Sequence, residues 1–378
     1  MNAFSLIEQL GTLRDPRQEG KVIHKLSDIL LLVICAVIAG CKGWEQIADF
    51  GEDRLDWLKQ YGEFENGTPS DDTIARAVSV VNPKKFQECF IEWMKAYHEA
   101  TDGEVVAIDG KTVRSSYDKS KRKGPIHMVS AFATANGVVL GQIKTEEKSN
   151  EITAIPDLLE LLEIKGCLVT IDAMGCQREI AKKIKEKKAD YLLAVKGNQG
   201  RLHAAFEEHF TVAKIQSWKG DTHQTIEKAH GRNETRFYLV SDLFDEFVNY
   251  SFDWTGMKTL GVALAIREVE GRELALEDIT VRYYISSAEL SAKRLAHAIR
   301  SNWHIENKLH WKLDVAMKED DCRIRRGDGA EILAGFRHIA INLLNNQKSF
   351  SGGLERKQMK AQRSTSYLAA VLAGQGCS

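Results

Sequence analysis

Two short apolar runs, each closed by an aspartate, constrain this chain more than any other feature. Val105-Val106-Ala107-Ile108 runs into Asp109-Gly110, and Cys167-Leu168-Val169-Thr170-Ile171 runs into Asp172. Runs of this length, rich in β-branched residues, read as strands buried on both faces. A carboxylate at the mouth of such a strand is costly unless it is solvated, paired or metal-bound. One Asp-Gly after a strand is ordinarily a turn. Two acids at two strand ends ask for a common reason, and the order of elements around them supplies one.

After Asp109 and a basic loop, residues 126–134 are strand-like, Asn136-Gly137 makes a hairpin turn, and residues 138–143 return. A helix follows over 150–162, with its true start expected at Ile155 because Pro156 sits awkwardly inside it. Then come the strand ending on Asp172, a basic helix over 177–188, and a strand over 191–195 closed by Lys196-Gly197-Asn198. Strand, helix, strand at this spacing implies a right-handed parallel crossover. Three antiparallel strands, helix, strand, helix, strand is the order of a ribonuclease H-like α/β fold. Both aspartates then fall at the carboxyl ends of strands, where open α/β sheets place their sites.

The rest of the chain divides around that core. Residues 1–100 read as a helical N-terminal domain, with Ser70 or Asp71 capping a helix from Thr73 and Asn82-Pro83 breaking it. The first part of the core covers 101–200, and a β-rich insertion covers 201–280. The core resumes over 281–346, with a strand at 281–286 and a helix carrying Leu295, Ile299, Asn302, Glu306, Leu309 and Leu313. Ser286-x-x-Glu289 is a capping box for it, with Ser291 competing one turn later. The basic tail over 347–378 contains Gly352-Gly353 and reads as loosely held.

The longest apolar run, 29–39, is too short to cross a bilayer, which needs ~20 residues, so it reads as a buried helix. The cysteines include no C-x-x-C pair, which argues against a zinc ribbon and for a reducing cytoplasm. Net charge is −1, so no global attraction to nucleic acid exists. The distribution says more. Residues 45–72 hold nine acids against two bases, whereas 111–123 hold six bases against one acid and 178–201 eight against three. The two short N-terminal helices around a tight turn resemble a helix-turn-helix, but their acidity favours a packing or dimerisation module. The bases gather beside Asp109 and Asp172.

A third acid, Glu306, lies in R-S-N-W-H-I-E-N-K-L-H-W-K (300–312), among tryptophans, histidines and bases. With Asp109 and Asp172 it makes a hard-oxygen set suited to two Mg²⁺ or Mn²⁺ ions. Two such ions ~4 Å apart activate an attacking oxygen and stabilise a leaving one in phosphodiester chemistry. Asp314, Glu319, Asp320 and Asp321 are rivals; the run 319–321 sits beside Arg323, Arg325 and Arg326 and reads as surface ion pairs. Lys111, Arg114, Lys196, Arg300, Lys308 and Lys312 can neutralise phosphates, and His304 and His310 can touch them. Trp303 either stacks on an unpaired base or anchors the core. Trp311 reads first as a core anchor, and neither His304 nor His310 has a partner pattern for zinc or general-base work.

The segments A-I-D-G-K-T-V-R (107–114), T-I-D-A-M-G-C-Q (170–177), Y-L-L-A-V-K-G-N-Q (191–199) and W-H-I-E-N-K-L-H-W-K-L-D-V (303–315) resemble the DDE transposases of bacterial insertion sequences, within them the H-repeat-associated subgroup. P-S-D-D-T-I-A-R (69–76) belongs to the same likeness, which runs from Leu26 to the C-terminus. The resemblance implies that Asp109, Asp172 and Glu306 are the catalytic, metal-holding triad. It also implies a β-rich insertion before Glu306 and Mg²⁺-dependent cleavage at element ends, after which the freed 3′-hydroxyl attacks target DNA. The partners it implies are double-stranded DNA, as element ends and as target, and a second copy of the chain when DNA-bound. No membrane is involved, and the expected location is the cytoplasm, associated with the nucleoid. In one respect the chain departs from the broader superfamily, which surrounds this Glu with a Tyr, an Arg and a Lys. Ile299, Asn302 and Leu313 stand there instead, with Lys312 one residue early. A structure-selective nuclease without strand transfer, and an inactive or domesticated DNA-binding protein that keeps the fold, remain as alternatives.

Overall fold

The structure is a computed structural model that describes residues 2–98, 103–117, 124–145, 151–229, 232–243, 245–269 and 278–374. Lys119, Lys121, Arg122 and Lys123 of the basic loop, and Asn150 at the expected helix start, lie outside these residues. The chain is mixed α/β and forms two compact units that do not follow chain order. The first comprises Met1–Glu99, Gly110–Asn150 and Glu306–Ser378, the second Ala100–Asp109 and Glu151–Ile305.

The first unit begins with five helices: α1 (Ala3–Gly11), α2 (Leu26–Ile38), α3 (Trp44–Leu58), α4 (Asp71–Val78) and α5 (Pro83–Tyr97). The apolar run forms α2, which is buried nearly all round. Each Leu, Ile or Val enclosed there contributes about 1.5–3 kcal/mol. Its one buried acid, Asp28, is satisfied by the Glu63 and Phe64 amides at 3.1 and 2.9 Å. Ser70, rather than Asp71, caps α4, accepting from the Thr73 amide, and Asn82 caps α5 with Pro83 at its first position.

Strand β1 (Val105–Thr112) crosses from the second unit into the first at Gly110. In the first unit its end adjoins β2 (His127–Ala133), which pairs antiparallel with β3 (Val138–Lys144). The Asn136-Gly137 turn forms as expected, with Gly137 at φ +68° and its amide on the Ala133 carbonyl. Within the second unit the strand order is β1-β4-β5-β9-β8-β7-β6. Helix α6 (Glu151–Leu161) leads to β4 (Leu168–Ile171), α7 (Arg178–Glu186) and β5 (Asp190–Val195). Both β1–β4 and β4–β5 are parallel. Helix α6 starts ahead of Pro156 and keeps it inside. Burial of Ala154, Ile155, Leu158 and Leu159 outweighs the one hydrogen bond a proline cannot donate.

The region read as an irregular insertion holds α8 (Gly200–His209), α9 (Val212–Gln216), β6 (Thr222–Ala229), β7 (Arg232–Asp242), α10 (Asp245–Ser251) and β8 (Thr259–Val269). Its strands are long, and they continue the sheet: β8 pairs antiparallel with β9 (Ile279–Ser286), which pairs antiparallel with β5. Helix α11 (Ala292–His304) is capped by Ser291, not by Ser286. Its Leu295, Ala298 and Ile299 pack into a core with Leu168, Leu192, Tyr238 and Tyr284.

In the first unit α12 (Trp311–Val315) and α13 (Gly329–Asn346) follow, and α13 is almost wholly buried. Its Asn342 grips both backbone groups of Val139 at 2.8 Å. As far as Gly374 the tail is not loose: α14 (Leu354–Arg363) and α15 (Thr365–Leu372) bury Leu354, Lys357, Tyr367 and Leu368. The apolar faces of these two short helices outweigh the basic composition that suggested a free tail.

Candidate active site

Parallel register brings the two aspartates together. Ile108 pairs with Ile171, so Asp109 and Asp172 are the next residues on adjacent strands, which lie about 4.8 Å apart. Asp109 is half-buried within β1; Asp172 is exposed just past the end of β4. The Asp172 Oδ1 accepts the Met174 amide at 2.9 Å and the Gly175 amide at 3.3 Å, so the carboxylate organises its own turn. Gly175 is required there, since a Cβ would stand 2.2 Å from Ile171 Cγ2.

The segment after β5 clamps the same turn. Asn198 Nδ2 donates to the Ala173 carbonyl at 2.7 Å, and Gln199 Nε2 to the Cys176 carbonyl at 2.8 Å. Sequence reasoning gave these two amides no role; the motif Y-L-L-A-V-K-G-N-Q contained them, but only the fold shows what they hold.

Glu306 sits on a π-helical turn, Ile305–His310, between α11 and α12. Such turns are rare and recur at functional sites. Just before it, Thr170 Oγ1 donates to Asn302 Oδ1 at 2.9 Å, fastening the end of α11 to β4 two residues ahead of Asp172. The residue standing where an arginine was expected is therefore a structural link. Glu306 itself is exposed, and a ligand atom of His310 lies within 4.8 Å of one of its oxygens. His310 is buried, and that burial, with help from Lys111, His338 and His127, pushes its imidazole down to about 3. It is neutral at neutral pH and able to ligate a metal. Sequence reading gave His310 no metal role because no second histidine follows at a zinc spacing.

The expected DNA-contacting residues fare unevenly. Lys111 is enclosed: its ammonium pairs with Asp314 at 2.7 Å, Asp320 at 3.0 Å and Glu319 at 3.3 Å. Burial works against its charge but is outweighed by those carboxylates, which raise its pKa. It does not face solvent, and the phosphate contact read from its place in the basic loop is corrected accordingly. The 319–321 run is corrected with it: Glu319 is buried and pairs with Lys111 and Arg337 instead of the neighbouring arginines. Arg300 pairs with Glu227, and Lys312 turns to Asn345 Oδ1 at 2.9 Å. Arg114 is open to solvent and pairs at its edge with Asp320 at 3.3 Å; Lys196 and Lys308 are exposed, and His304 is half-buried. Trp303 is 46% exposed with Arg282 over its ring at 5.4 Å. Trp311 is 58% exposed and is no core anchor.

Within the second unit the sheet carries Asp109, in β1, and Asp172, just past β4, side by side, and Glu306 opens the later helical part of the first unit. This chain belongs to the transposase DDE domain family, whose model matches residues 100–343, while the model of the region associated with that domain matches 7–94. The resemblance read from the four motifs is thereby borne out. The protein named "H repeat-associated putative transposase YhhI" of Escherichia coli (strain K12) is 57% identical over 378 residues, covering all of both chains. "Inactive transposase YbfQ" of the same strain is 63% identical over 79 residues, covering 21% of this chain and 94% of that one. The cryo-EM structure of a piggyBac transposase synaptic complex with hairpin DNA is a more distant likeness, with a TM-score of 0.47 and 11% identity over 98% of this chain and 80% of that one.

Proposed function

We propose that this chain is a DNA transposase with a ribonuclease H-like core, which cuts DNA at element ends and joins the freed 3′-hydroxyl to target DNA. The observation that carries the reading is the register of β1 and β4, which sets Asp109 beside Asp172. Family membership implies a divalent metal, and the donor set fits one: two carboxylates on adjacent strands, the exposed carboxylate of Glu306, and the neutral imidazole of His310 beside it. Asp109, Asp172 and Glu306 would hold Mg²⁺ or Mn²⁺, with His310 as a further donor. When bound, the ions supply Lewis acidity to the attacking and leaving oxygens of the phosphodiester.

The chain's own residues do the remaining work. The Met174 and Gly175 amides fix one oxygen of Asp172 and leave the other for a ligand. Asn198 and Gln199 keep that turn from swinging open. Trp303, exposed and flanked by Arg282, offers a face for an unpaired base, while Lys196 and Lys308, and Arg114 at the solvent edge of its pair with Asp320, can meet phosphates. DNA-bound protein is taken to be a homodimer. Among the described residues no helix is long and apolar enough to cross a membrane.

The test uses labelled duplexes that carry the element's terminal sequence, with Mg²⁺ or Mn²⁺ and a target plasmid. Joined products support the transposase; cleavage without joining makes it a nuclease. Binding with neither, in parent and Asp109→Asn alike, leaves an inactive DNA-binding protein.

A further inference from the structure

We propose that Lys111 is a positioning residue: gripped by Asp314, Glu319 and Asp320, it braces the helical run that begins with Glu306 against strand β1, and thereby governs metal affinity. The inference rests on the proposed function, since it gives that brace a purpose. Lys111 lies on β1 immediately beyond Asp109 and Gly110, and the three acids all come from the chain just after Glu306.

The grip is built by a tight return of the backbone. After α12 the Ala316 and Met317 amides both bond the Lys312 carbonyl, and the Glu319 amide reaches back to the Leu313 carbonyl at 2.9 Å. Lys318, at φ +51°, takes the left-handed conformation that side chains rarely adopt. That turn sets Asp314, on α12, around the same ammonium as Glu319 and Asp320. Lys111 and Glu319 are both buried. Glu319 is held from its other side by Arg337 at 3.4 Å, which is itself buried.

Fold stability alone does not ask for this arrangement. A buried ion pair is often no better than a hydrophobic pair of the same size, and one ammonium needs one carboxylate, not three. What three carboxylates on two sides of a tight turn do provide is a fixed distance and direction between β1 and α12. Glu306 lies on the π-helical turn that runs directly into α12. Its own side chain is exposed, so its placement depends on how that run is anchored.

The experiment compares the full chain with Lys111→Met, Lys111→Arg and Asp314→Asn, using Mn²⁺ binding by electron paramagnetic resonance and amide hydrogen exchange over 306–315. Lys111→Met and Asp314→Asn should raise exchange there and weaken Mn²⁺ binding by about 10–100-fold, the range for groups that orient metal ligands. Lys111→Arg should restore most of both. Asp314→Asn decides the matter if Lys111→Met fails to fold, because it leaves Glu319 and Asp320 in place. Unchanged Mn²⁺ affinity in a folded variant overturns the proposal, whether or not exchange rises. Asp109→Asn separates the two readings: if it binds Mn²⁺ like the parent, the proposed function fails, whereas loss of binding there with full binding in Asp314→Asn rejects only the brace.

Discussion

Thr170 Oγ1 donates a 2.9 Å hydrogen bond to Asn302 Oδ1, joining the strand that ends at Asp172 to the helix that leads to Glu306. Thr170 is buried in β4 and Asn302 half-buried, so the bond is partly sheltered from water. Thr170→Val keeps the shape and leaves Asn302 without its donor. It should cost about 1 kcal/mol, read by urea denaturation, and lower the cleavage rate more than the stability loss alone explains.

Gly175 tests the turn that holds Asp172. An alanine methyl there would collide with the Ile171 side chain at 2.2 Å, and Ile171 is buried and branched at Cβ. Gly175→Ala should destabilise the protein by about 1–3 kcal/mol, the usual cost of overpacking. If the melting temperature is unchanged, the turn is softer than the contacts imply.

Charge and shape can be separated at Asp172. Asp172→Asn retains an oxygen to accept the Met174 and Gly175 amides, so the fold should hold. It removes the negative charge a metal would need, and metal-dependent cleavage should fall by more than about 100-fold. Chelation of the parent with EDTA should have the same effect and be reversed by Mg²⁺ or Mn²⁺.

The Arg337–Glu319 pair is buried on both sides. Arg337→Met leaves Glu319 with Lys111 on one oxygen and no partner on the other, so it should cost about 1–3 kcal/mol, the cost of a buried polar atom left unsatisfied. Arg337→Met combined with Glu319→Leu should recover part of that loss, measured by denaturant midpoints.

Asp190 predicts part of the acid limb of stability. Burial acts to raise its pKa, but the Lys185 ammonium at 2.6 Å and the Ser287 hydroxyl at 2.7 Å outweigh it and hold the carboxyl below its ordinary value of 3.8. A carboxyl depressed by folding stabilises the protein fully above its unfolded pKa, and that contribution disappears as pH falls through the lower folded value. Asp190→Asn should therefore lose stability at neutral pH and show a shallower decline below about pH 4, followed by circular dichroism across an acid titration.

The sequence by itself determined the strand and helix order of the core, the strand that carries each aspartate, the Asn136-Gly137 turn and the family; it placed Asp109 at the end of β1, which instead runs on to Thr112. These rest on local signals: periodicity, turn chemistry and motif spacing, each contained in a short window of chain. Glu306 was legible as the odd acid in a helix of aromatics and bases, though the π-helical turn beneath it was not. Only the tertiary structure decided which charges meet. Lys111 reads as a phosphate ligand beside other bases, yet it is enclosed by three acids from a distant segment. Asn302 reads as a departure from the family pattern, yet it fastens α11 to β4. The insertion's strands, weakly patterned in sequence, extend the sheet by pairing onto β9. The physical reason is the same in each case: hydrogen bonds and ion pairs join residues by proximity in space, and a single chain read in order carries no direct record of that proximity.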